Sequence, residues 1–135
     1  MIWKEKYKIG VPEVDAQHKE LFQRLNAFIE LIHSDQDMKE KKKELFKTLE
    51  FMQEYVVVHF DSEEKVQQKY DFPEYEEHHQ IHEEFKNEIK EFARDFSKNE
   101  EDEDLAMVFS GRLLTWLIKH VTGDDQKLAD HINNI

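Results

Sequence analysis

The chain contains only three glycines and two prolines in 135 residues, and this scarcity limits the folds that it can adopt. A sheet protein of this length would need many turns, and turns depend on these two residue types. Long stretches without either residue therefore predict a nearly all-helical protein. Aromatic residues make up 12% of the chain, which is far more than a disordered chain of such high charge would carry.

The few helix-breaking residues divide the chain into predicted helices. Gly10 and Pro12 close an N-terminal arm, and Asp71-Phe72-Pro73 interrupts the longest helical stretch. The predicted helices cover about residues 12–33, 39–70, 74–96, 102–121 and 127–134. The acidic run at 99–104 is expected to be a solvated loop that leads into a helix. Residues 122–124 are expected to break the chain before the last, short helix.

Apolar residues in the four long helices recur in alternating steps of three and four, which is typical of a bundle interior. We call this row of positions the seam. Short connections between such helices favour antiparallel neighbours. The sequence therefore predicts an all-α protein, an antiparallel up-down-up-down four-helix bundle with an N-terminal arm and a short C-terminal helix. We expect a single domain over residues 1–135.

Composition excludes several classes of function. The net charge of −12 has the wrong sign for binding nucleic acid or an anionic membrane surface. The absence of cysteine excludes disulfides, thiolate catalysis and iron–sulfur clusters. No apolar run has the length of a signal peptide or a membrane span, so we expect a cytoplasmic protein. We also expect it to be a monomer.

Six polar residues occupy seam positions where a bundle would ordinarily place Leu or Ile. They are His18, His59, Glu63, His78, His82 and His120. Burying an unpaired polar side chain costs about 1 to 3 kcal/mol. Six such costs would rival the stability of a whole domain, which is about 5 to 15 kcal/mol. Some compensating interaction is therefore required, and a bound metal would provide it.

The spacing of these residues favours a metal centre. His59 and Glu63, like His78 and His82, are separated by four positions, which places both side chains of a pair on one helix face, one turn apart. Each pair can therefore hold one metal ion. In an antiparallel bundle, all six seam residues fall at the same end.

Asp125 completes the candidate set, because the predicted break before it would let its carboxylate fold back toward the buried histidines. Asp124 is the rival candidate, with capping of the terminal helix as its simpler role. We exclude three histidines as ligands, because none of them is a seam position at this end of the bundle. They are His33, His79 and His131.

Five imidazoles and two carboxylates are too many donors for one metal ion and suit two. Zinc normally takes about four ligands, and magnesium and calcium prefer oxygen, so iron or manganese fits best. With two roughly octahedral ions, these donors and one bridging oxide or hydroxide leave about one position open. An open position in an apolar seam suits a small neutral diatomic molecule, either dioxygen or nitric oxide.

The sequence resembles the bacterial hemerythrins over nearly the whole chain. The family pattern is a His in the first helix, followed by H-x3-E, H-x3-H and H-x4-D. Its counterparts here are His18, His59 with Glu63, His78 with His82, and His120 with Asp125. Surrounding segments are similar too, among them Trp3, Ile9-Gly10-Val11, Val14 to Lys19, His59-Phe60 and Trp116-Leu117.

The resemblance implies two non-haem iron ions bridged by Glu63, Asp125 and an oxo or hydroxo group. One iron would bind three histidines and be complete, and the other would bind two and keep a position open for dioxygen. The two sets are His78, His82 and His120, and His18 and His59. The function implied is reversible dioxygen binding for storage, delivery or sensing, without enzymatic turnover. A di-iron oxidase or peroxidase, a scavenger of nitric oxide and a regulatory module are the alternatives, and small anions could occupy the same position.

Overall fold

The computed structural model of the chain describes residues 3–98 and 103–134, which are almost entirely helical. The helices are α1 (Pro12–Ile32), α2 (Met38–Lys69), α3 (Tyr75–Lys98), α4 (Glu103–Lys119) and α5 (Asp125–Asn133). No strand occurs in these ranges, which confirms the predicted all-α class. Most of the acidic run at 99–104 lies outside the described residues. None of the described helices is long and apolar enough to cross a membrane.

Local chemistry explains where the long helices begin and end. Pro12 is the first residue of α1, where its missing N–H costs nothing. Asp37 caps α2 by accepting a hydrogen bond from the backbone N–H of Glu40 at 3.0 Å. Asp71 has a φ of +50°, which turns the chain between α2 and α3. The predicted boundaries of the four long helices therefore agree closely with the observed ones.

The four long helices pack as neighbours around one apolar core. Helix α1 packs against α2 and α4, α2 packs against α3, and α3 contacts α4 more sparsely. His18, near the start of α1, lies beside Glu63 in the second half of α2. His78, at the start of α3, lies beside His120, which directly follows α4. Neighbouring helices are thus antiparallel, as predicted for an up-down-up-down bundle.

The expected chain break at residues 122–124 does not occur, and that prediction was wrong. A π-helical turn at His120–Asp124 joins α4 directly to α5. The N–H of Asp125 donates to the carbonyl of His120, which is the five-residue hydrogen bond of such a turn. A glycine such as Gly123 weakens a helix by only about 1 kcal/mol. Burial of the apolar face of α5 outweighs that cost.

The N-terminal arm packs on α1 of the bundle. Trp3 and Tyr7 are buried, with ring centroids 5.7 and 5.6 Å from that of Phe22 on α1. The arm then turns at Gly10, whose φ of +90° favours glycine over any other residue. Asp15 fixes this turn by accepting hydrogen bonds from the backbone N–H groups of Ile9 at 2.8 Å and Gly10 at 3.2 Å.

Replacing Asp15 with Ala should lower the free energy of unfolding of the metal-free protein by about 1 to 2 kcal/mol, because two N–H groups lose their acceptor. Urea denaturation followed by circular dichroism measures this change. Asp61→Ala, at an exposed position of α2, is the matched control. Equal stability of the two variants would show that the carboxylate of Asp15 does not hold the arm.

Candidate metal centre

All seven residues proposed from the sequence as metal ligands converge at one end of the bundle. They come from α1 (His18), α2 (His59 and Glu63), α3 (His78 and His82), the π-helical turn (His120) and the first residue of α5 (Asp125). None is more than 3% exposed. The structure therefore brings the whole predicted set together in the interior.

Three histidines form one group of donors. The Nε2 atom of His120 lies 3.2 Å from Nε2 of His78 and 3.1 Å from Nε2 of His82. A metal ion about 2.1 Å from each imidazole nitrogen would hold two nitrogens at right angles about 3.0 Å apart. The spacing of these three nitrogens therefore fits a shared ion.

The other two histidines form a second, smaller group. The rings of His18 and His59 meet edge to face, with centroids 4.5 Å apart. Their Nε2 atoms lie 3.7 and 3.2 Å from the Oε2 atom of Glu63. This group therefore offers two imidazole nitrogens on the opposite side of that carboxylate.

The two carboxylates lie between the groups and contribute to both. Glu63 directs Oε1 toward Nε2 of His78, at 2.8 Å, and Oε2 toward the smaller group. Asp125 places Oδ1 3.1 Å from Nε2 of both His78 and His120, and Oδ2 3.0 Å from Nε2 of His18. Each carboxylate thus offers one oxygen to each side.

Many of these buried polar atoms have no hydrogen bond within the protein. Among the described residues, both oxygens of Glu63 and of Asp125, and the Nε2 atoms of His18 and His59, lie near one another but make no hydrogen bond of regular geometry. Buried polar groups without partners are rare and costly. Metal ions would satisfy them together, and a donor set of imidazoles and carboxylates without sulfur suits iron. The cluster therefore fits a buried non-haem iron site.

Without metal, the carboxylates favour protonated imidazoles in part of the cluster. Burial disfavours the charged form of His18, but the carboxylates of Asp125 and Glu63 outweigh burial and raise its pKa to about 9. The same balance raises the pKa of His78 to about 9 and, with help from Asp124, that of His120 to about 10. Three of the proposed ligands therefore hold protons that a metal ion must displace.

The remaining two histidines of the cluster behave differently. Burial lowers the pKa of His59 and of His82, so both favour the neutral form that binds metal. The Nδ1 atom of His59 lies 2.8 Å from Oε1 of Gln17, and Nδ1 of His82 lies 3.0 Å from Oε2 of Glu64. Such outer partners fix the orientation and tautomer of a ligand and leave Nε2 free for the metal.

Sequence reasoning missed these outer partners. Gln17 and Glu64 lie off the seam, and they reach histidines of neighbouring helices only because of how the helices pack. Their signal in the sequence is adjacency to a proposed ligand: Gln17 directly precedes His18, and Glu64 directly follows Glu63. Asp124, expected to be a helix cap, makes no side-chain capping bond, and its Oδ2 lies 3.3 Å from Nδ1 of His120 instead.

The structure brings none of the excluded histidines into the two donor groups. The side chain of His79 is 41% exposed, and its Nδ1 contacts Glu64 rather than the cluster. His33 is exposed at the opposite end of α1. His131 donates from Nε2 to the carbonyl of Tyr70 at 2.6 Å.

A small apolar cavity lies beside the cluster and borders one histidine of each group. Its volume is about 10 Å³, close to the least that can hold one water molecule. It is lined by Leu21, Met52, Val56, His59, Phe60, Phe85, Leu113, Trp116, Leu117 and His120. Only a very small molecule can occupy this space without moving side chains.

Metal binding should release up to three protons per chain near about pH 7.5, because bound imidazoles must be neutral. These protons come from His18, His78 and His120, and the affinity for metal should rise with pH until their pKa values of about 9 to 10 are passed. Anaerobic calorimetric titration with ferrous ion, in buffers of different ionisation enthalpy, measures the release. His33→Ala should release as many protons as the unmodified chain, and a release near zero in both would contradict the protonation states.

Comparison with known proteins agrees with this geometry. The chain has no match among curated protein sequences. Residues 9–132 match the model of the hemerythrin HHE cation-binding domain, which covers nearly the whole chain and includes all seven clustered residues. On this match, and on a helical bundle with a buried His and carboxylate cluster, the chain belongs to the hemerythrin family.

Proposed function

We propose that this chain binds dioxygen reversibly at two iron ions joined by an oxo or hydroxo bridge. One observation carries the proposal: two donor groups of unequal size share both carboxylates, and an apolar cavity borders one histidine of each group, His59 and His120. When bound, iron supplies an open coordination position and the reversible electron exchange that dioxygen binding needs. The seven clustered side chains are the proposed ligands.

The donor count supports an open position on one side only. Three imidazoles, one oxygen from each carboxylate and the bridge make about six donors, a full octahedral set. The side of His18 and His59 has one imidazole fewer, so the proposed open position lies there. The apolar cavity borders His59 of that side and His120 of the other, and it is the space that we propose for a diatomic molecule.

The cavity lining favours binding over turnover. Apart from His59 and His120, its lining residues are all apolar. These side chains can exclude water, and none of them carries a titratable group that could act as an acid toward a bound molecule. Imidazole-rich ligation also differs from the Glu-rich sets of other di-iron proteins. Both features support a reversible carrier, store or sensor over an oxidase or a peroxidase.

The optical spectrum of the iron-loaded protein tests the proposal. We expect charge-transfer bands of bridged ferric iron in air, and we expect them to bleach on removal of dioxygen and to return on its readmission. Continuous consumption of dioxygen or peroxide would instead support an oxidase or peroxidase. Bands that appear in air and never bleach, even at low dioxygen pressure, would contradict reversible binding.

His82→Ala should lower the affinity for iron at least about tenfold, the usual range for disturbing a metal site. His79→Ala should lower it much less, because the ring of His79 lies outside both donor groups and contacts Glu64, Glu83 and Tyr75 instead. Iron per chain, measured after equilibration with a competing chelator, compares the two variants. Equal losses would mean that the ligands of α3 are assigned incorrectly.

A further inference from the structure

One residue connects the buried cavity with the protein surface. Nine of the ten residues that line the cavity are 5% exposed or less. The tenth, Trp116 on α4, is only partly buried. Its indole is therefore the one wall of the cavity that also faces solvent.

On its outer side, Trp116 lines a surface groove on α3 and α4. The groove has a volume of about 560 Å³ and contains Met107, Val108 and Gly111 along α4. Met107 is 42% exposed and Val108 is 62% exposed. Among the residues that the structure describes, Trp116 alone lines both the groove and the inner cavity. Its side chain therefore borders both spaces.

The contacts of Trp116 are compatible with movement. Its ring stacks on that of Phe85, with centroids 3.7 Å apart, and on that of His120, with centroids 4.5 Å apart. These flat contacts let a ring slide without breaking a directional bond. Trp116 also meets the edge of Phe60, with centroids 5.9 Å apart, but its outer side is partly exposed, which leaves room for its ring to turn. Helices α3 and α4 also contact each other less than the other neighbouring pairs do.

We propose that Trp116 is a door through which a neutral diatomic molecule passes from the α3–α4 groove to the cavity beside His59. The inference rests on the proposed function, because it takes dioxygen as the molecule that passes. Met107 and Val108 give the groove an apolar part, and the rest of its lining is polar or charged, at Glu88, Arg112, Thr115 and Lys119. Inside Trp116 the route is apolar, which suits an uncharged gas better than an ion. A second surface cavity, of about 70 Å³, reaches the cluster at His78 instead. That cavity lies on the side whose donor set is full.

Gly111 offers a way to obstruct this route from outside. A Cβ atom added at Gly111 would meet nothing within 4 Å, so a large side chain there can occupy the groove without a backbone clash. Gly is also a poor helix former, and its replacement within α4 should not unfold the protein. Gly111→Trp therefore narrows the groove, and Gly111→Ala is the matched control. Trp116→Phe makes the opposite change, because the smaller ring of Phe obstructs the route less.

The experiment mixes reduced, iron-loaded protein rapidly with dioxygen and, in separate runs, with nitric oxide. We expect Gly111→Trp to slow association and dissociation by the same factor, about fivefold or more, with an unchanged Kd. A side chain that obstructs the route changes the energy barrier to entry and exit. It leaves the free energies of the bound and free states, and therefore the Kd, unchanged. Trp116→Phe should speed association. Iron content is checked in every variant, because Trp116 stacks on a proposed ligand.

Rates in Gly111→Trp equal to those in Gly111→Ala would overturn the proposal. A change in Kd without matched changes in both rates would overturn it too, because Trp116 would then act on the bound state. The two gases separate this inference from the proposed function. If nitric oxide follows the predicted rates but dioxygen does not bind reversibly, the door stands and the function fails. If dioxygen binds reversibly but substitutions at Gly111 and Trp116 leave the rates unchanged, the function stands and the door fails.

Discussion

The sharing of two buried carboxylates between two sets of imidazoles is the interaction on which the rest of this structure depends. Glu63 and Asp125 are fully buried, and in the described part of the chain imidazole nitrogens face their oxygens, the nearest at 2.8 to 3.2 Å. Two uncompensated carboxylates would be prohibitive in such an interior. The imidazoles that face these carboxylates come from four separate parts of the chain, which are α1, α2, α3 and the π-helical turn. The arrangement of the helices and the composition of the site therefore depend on each other.

The opposite end of the bundle is held by ordinary apolar packing. The rings of Phe92 and Phe109 stack with centroids 3.6 Å apart, and Phe46 packs against Phe96 at 5.2 Å. Such contacts are insensitive to metal and contribute stability through buried apolar area. The molecule thus separates a polar end, which needs an ion, from an apolar end, which does not. This division allows the helices to assemble before the ion is bound.

Most of the helical framework and the grouping of the candidate ligands could be predicted from the sequence, because both follow from a local period. His59, Glu63, His78 and His82 continue the steps of three and four that also place the core residues. What could not be predicted depends on the packing of distant helices. Glu64 reaches His82 across the interface of α2 and α3, and no spacing within either helix reveals that contact. The π-helical turn was missed because Gly123 resembles a chain break, whereas burial of Leu128 on α5 favours continuity.

Because of the π-helical turn, the geometry of the metal centre depends on the number of residues from His120 to Asp125. His120 and Asp125 are five positions apart, and the wider turn brings both onto one face, which a regular α-helix would not do. Any single point substitution leaves this count intact, whereas loss or gain of one residue would rotate the whole C-terminal helix by about 100°. Asp125 would then point away from the cluster. Between His120 and Asp125, the number of residues is under a stricter constraint than their identity.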